Sequence, residues 1–165
     1  MNDRTSLSGQ VLLLMLCAGM VTIFGEAWAA DAKGALAGLS MERLDGVSLR
    51  MGREQTRALL GAPHAVEALE PELTAEVYLP TDNASLHSAT LLFDKQAQLV
   101  GKALVIRGDA MDLLVGELIR ADFTLIAQST QRTQLSGQDD DSDQALDLTI
   151  LRAGDDTLLM VFPAK

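Results

Sequence analysis

Two strongly β-forming runs, Ala89–Phe93 and Leu99–Ile106, stand on either side of the polar pentapeptide Asp94-Lys95-Gln96-Ala97-Gln98. Apolar runs flanking such a stretch predict an antiparallel hairpin. A hairpin with one apolar side has to bury it against another layer. The neighbouring residues supply that layer and then repeat it. Upstream, Met51–Leu60 predicts a helix: it is rich in helix formers, carries Glu54 in the first turn and is stopped by Gly61 and Pro63. Its apolar residues Met51, Ala58, Leu59 and Leu60 gather toward the C-terminal end, so docking by the last turn is expected. Thr74–Leu79 reads as a further strand, closed by the turn residues Pro80-Thr81-Asp82-Asn83.

Gly108-Asp109 then opens a second helix, with Asp109 as its expected cap and Met111, Leu114, Val115 and Leu118 at i, i+3, i+4 and i+7. Strands follow at Phe123–Ala127 (extending toward Arg132), Leu146–Leu151 and Leu158–Phe162, the last two joined by Ala153-Gly154-Asp155-Asp156. The expected fold is therefore α+β: an antiparallel sheet of about six strands with helices packed on one face. One reading of the pattern is two helix-plus-three-strand units in tandem, about 40–107 and 108–165.

A different constraint governs the start. Val11–Phe24 is fourteen residues without a charge, preceded by a polar opening whose only basic residue is Arg4. At about 1.5 Å per helical residue this run falls short of a hydrocarbon core about 30 Å thick. Gly25-Glu26 ends it, and Ala27-Trp28-Ala29 supplies the small-x-small pattern of a signal-peptidase site. Residues 1–30 are expected to be a signal peptide, cleaved after Ala29 or Ala30, with 31–165 the mature domain in the periplasm. The rival reading is an uncleaved N-terminal anchor. Cys17 raises a lipoprotein reading, but Leu16 precedes it and the apolar run continues past it, so it reads as apolar filler. Asp31–Gly38 is an Ala/Gly-rich lead-in, and Leu39–Leu44 is ambiguous.

Composition then narrows the chemistry. Loss of residues 1–30 removes Arg4, Asp3 and Glu26, leaving twelve basic residues against twenty-one acidic, a net of −9. Such a surface repels phosphate backbones and anionic lipid, which argues against nucleic acid as a partner. Without Cys17 the chain has no cysteine, hence no disulfide, thiolate nucleophile or cysteine metal ligand.

The stretch Arg50-Met51-Gly52-Arg53-Glu54-Gln55-Thr56-Arg57-Ala58-Leu59-Leu60-Gly61-Ala62-Pro63 resembles the helix signature of the SmpA/OmlA (BamE-like) family, in which Gly-Met-Thr-Arg leads a helix that ends in Leu-Leu-Gly-x-Pro. Met51, Arg53, Leu59, Leu60, Gly61 and Pro63 match as they stand. Leu92-Phe93-Asp94-Lys95-Gln96-Ala97-Gln98-Leu99 is similar to the family's hairpin, with Phe93 and Asp94 in place. The resemblance covers about Val47–Ile106 and implies an exported envelope protein that binds or assembles other proteins, the motif residues being mainly structural. This chain departs from the pattern at Arg50, where the family has Gly; at Gly52, where it has a capping Thr; at Thr56, where it is apolar; and at Ala97, where Gly is usual. The lipid-bearing cysteine of many members is missing. The tandem pattern is similar in architecture to beta-lactamase-inhibitor proteins, a likeness of fold alone.

The remaining chemistry-bearing residues read more plainly. His64 follows Pro63, and His87 lies twenty-three residues on, in Ser85-Leu86-His87-Ser88. Neither has the partners of a general base, and two histidines make an incomplete zinc set. Asp139, Asp141 and Asp143 open like a calcium loop, but Gln144 and Ile150 stand where Gly and Glu are required. Met41, Met51, Met111 and Met160 are scattered, as core fillers are. No catalytic, cofactor or metal site is expected. The leading functional expectation is a non-enzymatic periplasmic protein holding another envelope protein by its sheet face or edge strands. The alternatives are an envelope enzyme with a dispersed carboxylate site and a homo-oligomeric structural subunit.

Overall fold

A computed structural model describes residues 46–70, 72–80, 85–138 and 144–164. The expected leader Val11–Phe24 with its cleavage site and Cys17 lies outside the described residues, as do Asp31–Gly38, Leu39–Leu44, Met41, the turn residues Thr81, Asp82 and Asn83, and Asp139, Asp141 and Asp143.

The described chain runs helix α1 (Arg53–Leu60), strands β1 (Ala65–Glu70), β2 (Leu73–Tyr78), β3 (Leu86–Asp94) and β4 (Leu99–Ile106), helix α2 (Met111–Arg120), then β5 (Thr124–Gln128), β6 (Arg132–Gln138), β7 (Ala145–Ala153) and β8 (Asp156–Pro163). All eight strands form one sheet in the order β1-β2-β3-β4-β8-β7-β6-β5, and every pairing is antiparallel. Two four-strand meanders thus meet at their last strands, where Ala103 pairs with Met160 and Leu104 with Leu159.

This corrects the expectation of about six strands with helices covering one face. The sheet has eight strands and dominates the structure, and each repeating unit is a helix followed by four strands rather than three. The two strands missing from the sequence reading are β1 and β6. Ala-Val-Glu-Ala-Leu-Glu is helix-forming by composition and becomes β1 only through its ladder with β2, from Ala65 opposite Val77 to Glu70 opposite Leu73. Arg-Thr-Gln-Leu-Ser-Gly-Gln has one large apolar residue, Leu135, and the turn before it contains neither Gly nor Pro.

One face of the sheet holds the core. Tyr78, Leu91, Phe93, Leu99, Leu135, Leu148 and Ile150 project from the strands against Leu60 of α1 and Met111 and Val115 of α2. Helix α1 docks by Thr56 and Leu60; Ala58 and Leu59 face water, so the contact is not confined to the last turn. The Thr56 hydroxyl donates to the Gly52 carbonyl at 3.1 Å, which satisfies it in an apolar setting. Asp109 does not cap α2. Ala110 holds the cap position without a side-chain bond, while the Asp109 carboxylate takes Arg152 Nε at 3.0 Å.

The other face carries its own apolar field. Val77, Leu92, Ala103, Val105, Leu158 and Met160 lie on β2, β3, β4 and β8, out of register with the core residues and outside their cluster. Phe162 also points there: a Cβ built on Gly101 would sit 2.6 Å from its ring, so the glycine makes room for it.

Candidate functional site

The motif residues converge on one corner. Backbone bonds tie the lead-in of α1 to the tip of the β3–β4 hairpin: Arg50 N–H donates to Leu99 O at 2.7 Å, Leu99 N–H to Met51 O at 2.9 Å, and Arg53 N–H to Ala97 O at 2.8 Å. Asp94 closes that hairpin, its Oδ1 accepting from the N–H groups of Gln96 and Gln98 at 2.9 Å each. The turn requires left-handed backbone at Ala97, φ 58°, and the segment facing it requires the same at Arg50, φ 68°. These are two positions at which the resemblance expects glycine, the residue that takes up this conformation without strain. Gly61 (φ 86°) ends α1 with its N–H on Arg57 O at 2.8 Å. Leu60 and Phe93 are buried, Met51 packs against the core, and Leu59 faces solvent.

Arg53 shows what the corner is for. Its guanidinium lies 6.0 Å from the centroid of the Phe93 ring and donates through Nε to Glu76 Oε1 on β2. Arg57, one turn on, donates to the same oxygen through Nε at 3.0 Å and Nη2 at 2.5 Å. Tyr78 Oη donates to Glu76 Oε2 at 2.7 Å. Glu76 is completely buried, yet all four of these bonds are charge-assisted. Burial pushes its carboxyl upward, but the bonds from Arg57, Tyr78 and Arg53 outweigh this and hold it below the ordinary carboxylate range. Burial, and then Glu76 itself, raises the Tyr78 phenol. The bond to Glu76 raises Arg57 in turn.

Glu76 is fully buried and engaged by two guanidinium groups and a phenol, which gives it a structural role. The cluster fastens α1 to the sheet. Sequence reasoning passed over Glu76 and Tyr78, although the alternation of Thr74-Ala75-Glu76-Val77-Tyr78 places both on one face and sets a carboxylate among apolar neighbours.

The other candidates do not come together. His64, before β1, and His87, on β3, are both exposed. Met111 lies in the core and Met160 on the opposite face. Among the described residues no three His, Cys, Asp or Glu side chains gather as a metal site would require, and no helix is long and apolar enough to cross a membrane.

The surfaces open to a partner among the described residues include the two sheet edges. The six apolar side chains of the second sheet face are 1–7% exposed, so that face is buried within the chain even though α1 and α2 pack on the other side. At the edges, β1 carries Glu67 and Glu70, whereas β5, Thr-Leu-Ile-Ala-Gln, has no charge and is exposed along its whole length. No protein-family model matches the chain, and no curated protein or solved structure matches it either.

Proposed function

We propose that this chain is an exported, non-enzymatic periplasmic module that binds or helps assemble another cell-envelope protein, and that Leu59 of α1 and Val66 of β1 mark the surface that does so. One observation supports this above the others: Leu59 on α1 and Val66 on β1 are large apolar side chains 43% and 49% exposed, and β1 is the sheet edge opposite β5. The leader-like run Val11–Phe24 and the acidic balance support an envelope protein rather than nucleic acid as the partner. The fastening of α1 through Arg53, Arg57 and Glu76 of β2 holds the helix that carries Leu59 beside the first strands of the sheet.

Photo-crosslinking in intact producing cells tests the reading. A crosslinking residue at Val66 is expected to capture one discrete envelope protein, and one at Glu117, exposed on α2, is not. Capture of cytoplasmic proteins alone, or equal capture from both positions, would refute the proposal.

A further inference from the structure

We infer that the β5 edge is a self-pairing surface: two copies of this chain join β5 to β5 antiparallel across a two-fold axis, extending both sheets into one. The argument starts from the contrast between the edges. A charged edge strand resists strand addition because incoming backbone would strip water from the charges. β1 is such an edge, with Glu67 exposed on it. β5 is its opposite. Leu125 is 40% and Ile126 63% exposed, and both are among the large apolar residues most open to solvent. Leu113 and Ile119 of the preceding helix add 65% and 48%, so four of the six exposed large apolar side chains fall within residues 113–126.

The occupant follows from charge. Each copy carries a net charge of about −9 to −10, and two copies repel unless their contact is neutral or self-complementary. β5 is neutral, and its two ends differ in sign. Asp122, exposed and left-handed at φ 63°, precedes the strand. Arg132, exposed, lies beyond its other end, after a turn ordered by Ser129, whose Oγ accepts from Arg132 N–H at 3.1 Å. Neither Asp122 nor Arg132 has an ion-pair partner among the described residues.

Antiparallel pairing centred on Ile126 sets Thr124 of one copy against Gln128 of the other. It brings each acidic end to the other copy's basic end. A parallel arrangement would set like against like. The bulge between Leu125 and Ala127 interrupts the ladder, so backbone bonds form only in short runs on either side, and the two Ile126 side chains meet at the axis. An isologous contact of this kind closes on itself and stops at the dimer.

Sedimentation equilibrium of the chain purified from its producing cells tests this. A reversible dimer is expected, weakening as salt screens the charged ends. Ile126→Lys puts two like charges at the axis and is expected to raise the dissociation constant at least about tenfold, while Val66→Lys on β1 leaves it unchanged. Asp122→Arg weakens the dimer, and adding Arg132→Asp in the same chain restores it, an outcome that only self-pairing predicts. Circular dichroism of each variant confirms the native fold. A chain that stays monomeric at every concentration would overturn the inference, as would a dimer indifferent to Ile126→Lys. So would β5-dependent crosslinks to a different protein from a monomeric chain, which would assign the edge to an extended segment of that protein. Crosslinking from Val66, on the edge opposite β5, is independent of these results, so failure here leaves the proposed function standing.

Discussion

Glu76→Gln is the substitution that most directly tests how α1 is held. The change keeps shape and removes charge, leaving Arg53 and Arg57 without the anion that gathers them. Breaking a buried ion pair by deleting one partner costs about 3–5 kcal/mol when the survivor stays buried. Here the two guanidinium side chains are 26% and 32% exposed and recover part of their hydration. Tyr78 keeps an acceptor in the new amide. The expected loss is therefore about 2–3 kcal/mol. At a typical urea dependence of about 1–3 kcal/mol per molar, the unfolding midpoint falls by about 0.7–3 M. Urea titration followed by far-ultraviolet circular dichroism measures it, and Tyr78, the only tyrosine, reports locally by fluorescence.

The reference is Lys95→Ala, which breaks the exposed Lys95–Glu72 pair, with side chains 56% and 69% accessible. That pair is worth at most about 1 kcal/mol. A Glu76→Gln midpoint no lower than that of Lys95→Ala would refute the claim that this cluster fastens the helix. Acidity gives a second reading. The folded carboxyl lies below its ordinary value of 4.5, so its stabilisation is complete above that pH and is lost as pH falls through the lower folded value. The wild type is expected to lose this increment on the acid side below about pH 4.5, and Glu76→Gln to show no such loss.

Three further outcomes are expected. Ala97→Gly and Arg50→Gly each relieve a left-handed residue and should raise the unfolding free energy by about 0.5–1 kcal/mol, measured by the same titration. Gly101→Ala forces a methyl against the Phe162 ring and should cost about 1–3 kcal/mol; an unchanged midpoint would show that the ring has room to move. The Tyr78 phenol, raised by burial and by Glu76, should stay protonated in the folded chain when free tyrosine ionises near pH 10. Stability from this group is present below that pH and falls above it, so tyrosinate absorbance should appear together with unfolding.

The strongest sequence signals translated directly into structure. Leu99–Ile106 is β4 residue for residue, Gly154 turns the β7–β8 hairpin with φ 66°, and Met111, Val115 and Leu118 give α2 its inward face. What escaped was decided by distant neighbours. β1 is made of helix formers and is extended only because β2 offers it a ladder. β6 follows a turn whose order comes from the Ser129 hydroxyl rather than from Gly or Pro. Asp109 was positioned to cap α2, but Arg152, forty-three residues later, claims its carboxylate. The candidate site shows the same division: Arg53 and Asp94 were visible as motif residues, while Glu76, which gives Arg53 its purpose, looked like one acid among many.

The position of β8 has a consequence for how the molecule comes into being. Of the eight strands it is the last to be synthesised, yet it lies in the interior of the sheet, between β4 and β7. Before Asp156–Pro163 exists the two meanders share no seam, and each can be no more than a separate, half-zipped ribbon. The stitch that locks the two halves together is therefore the final one made.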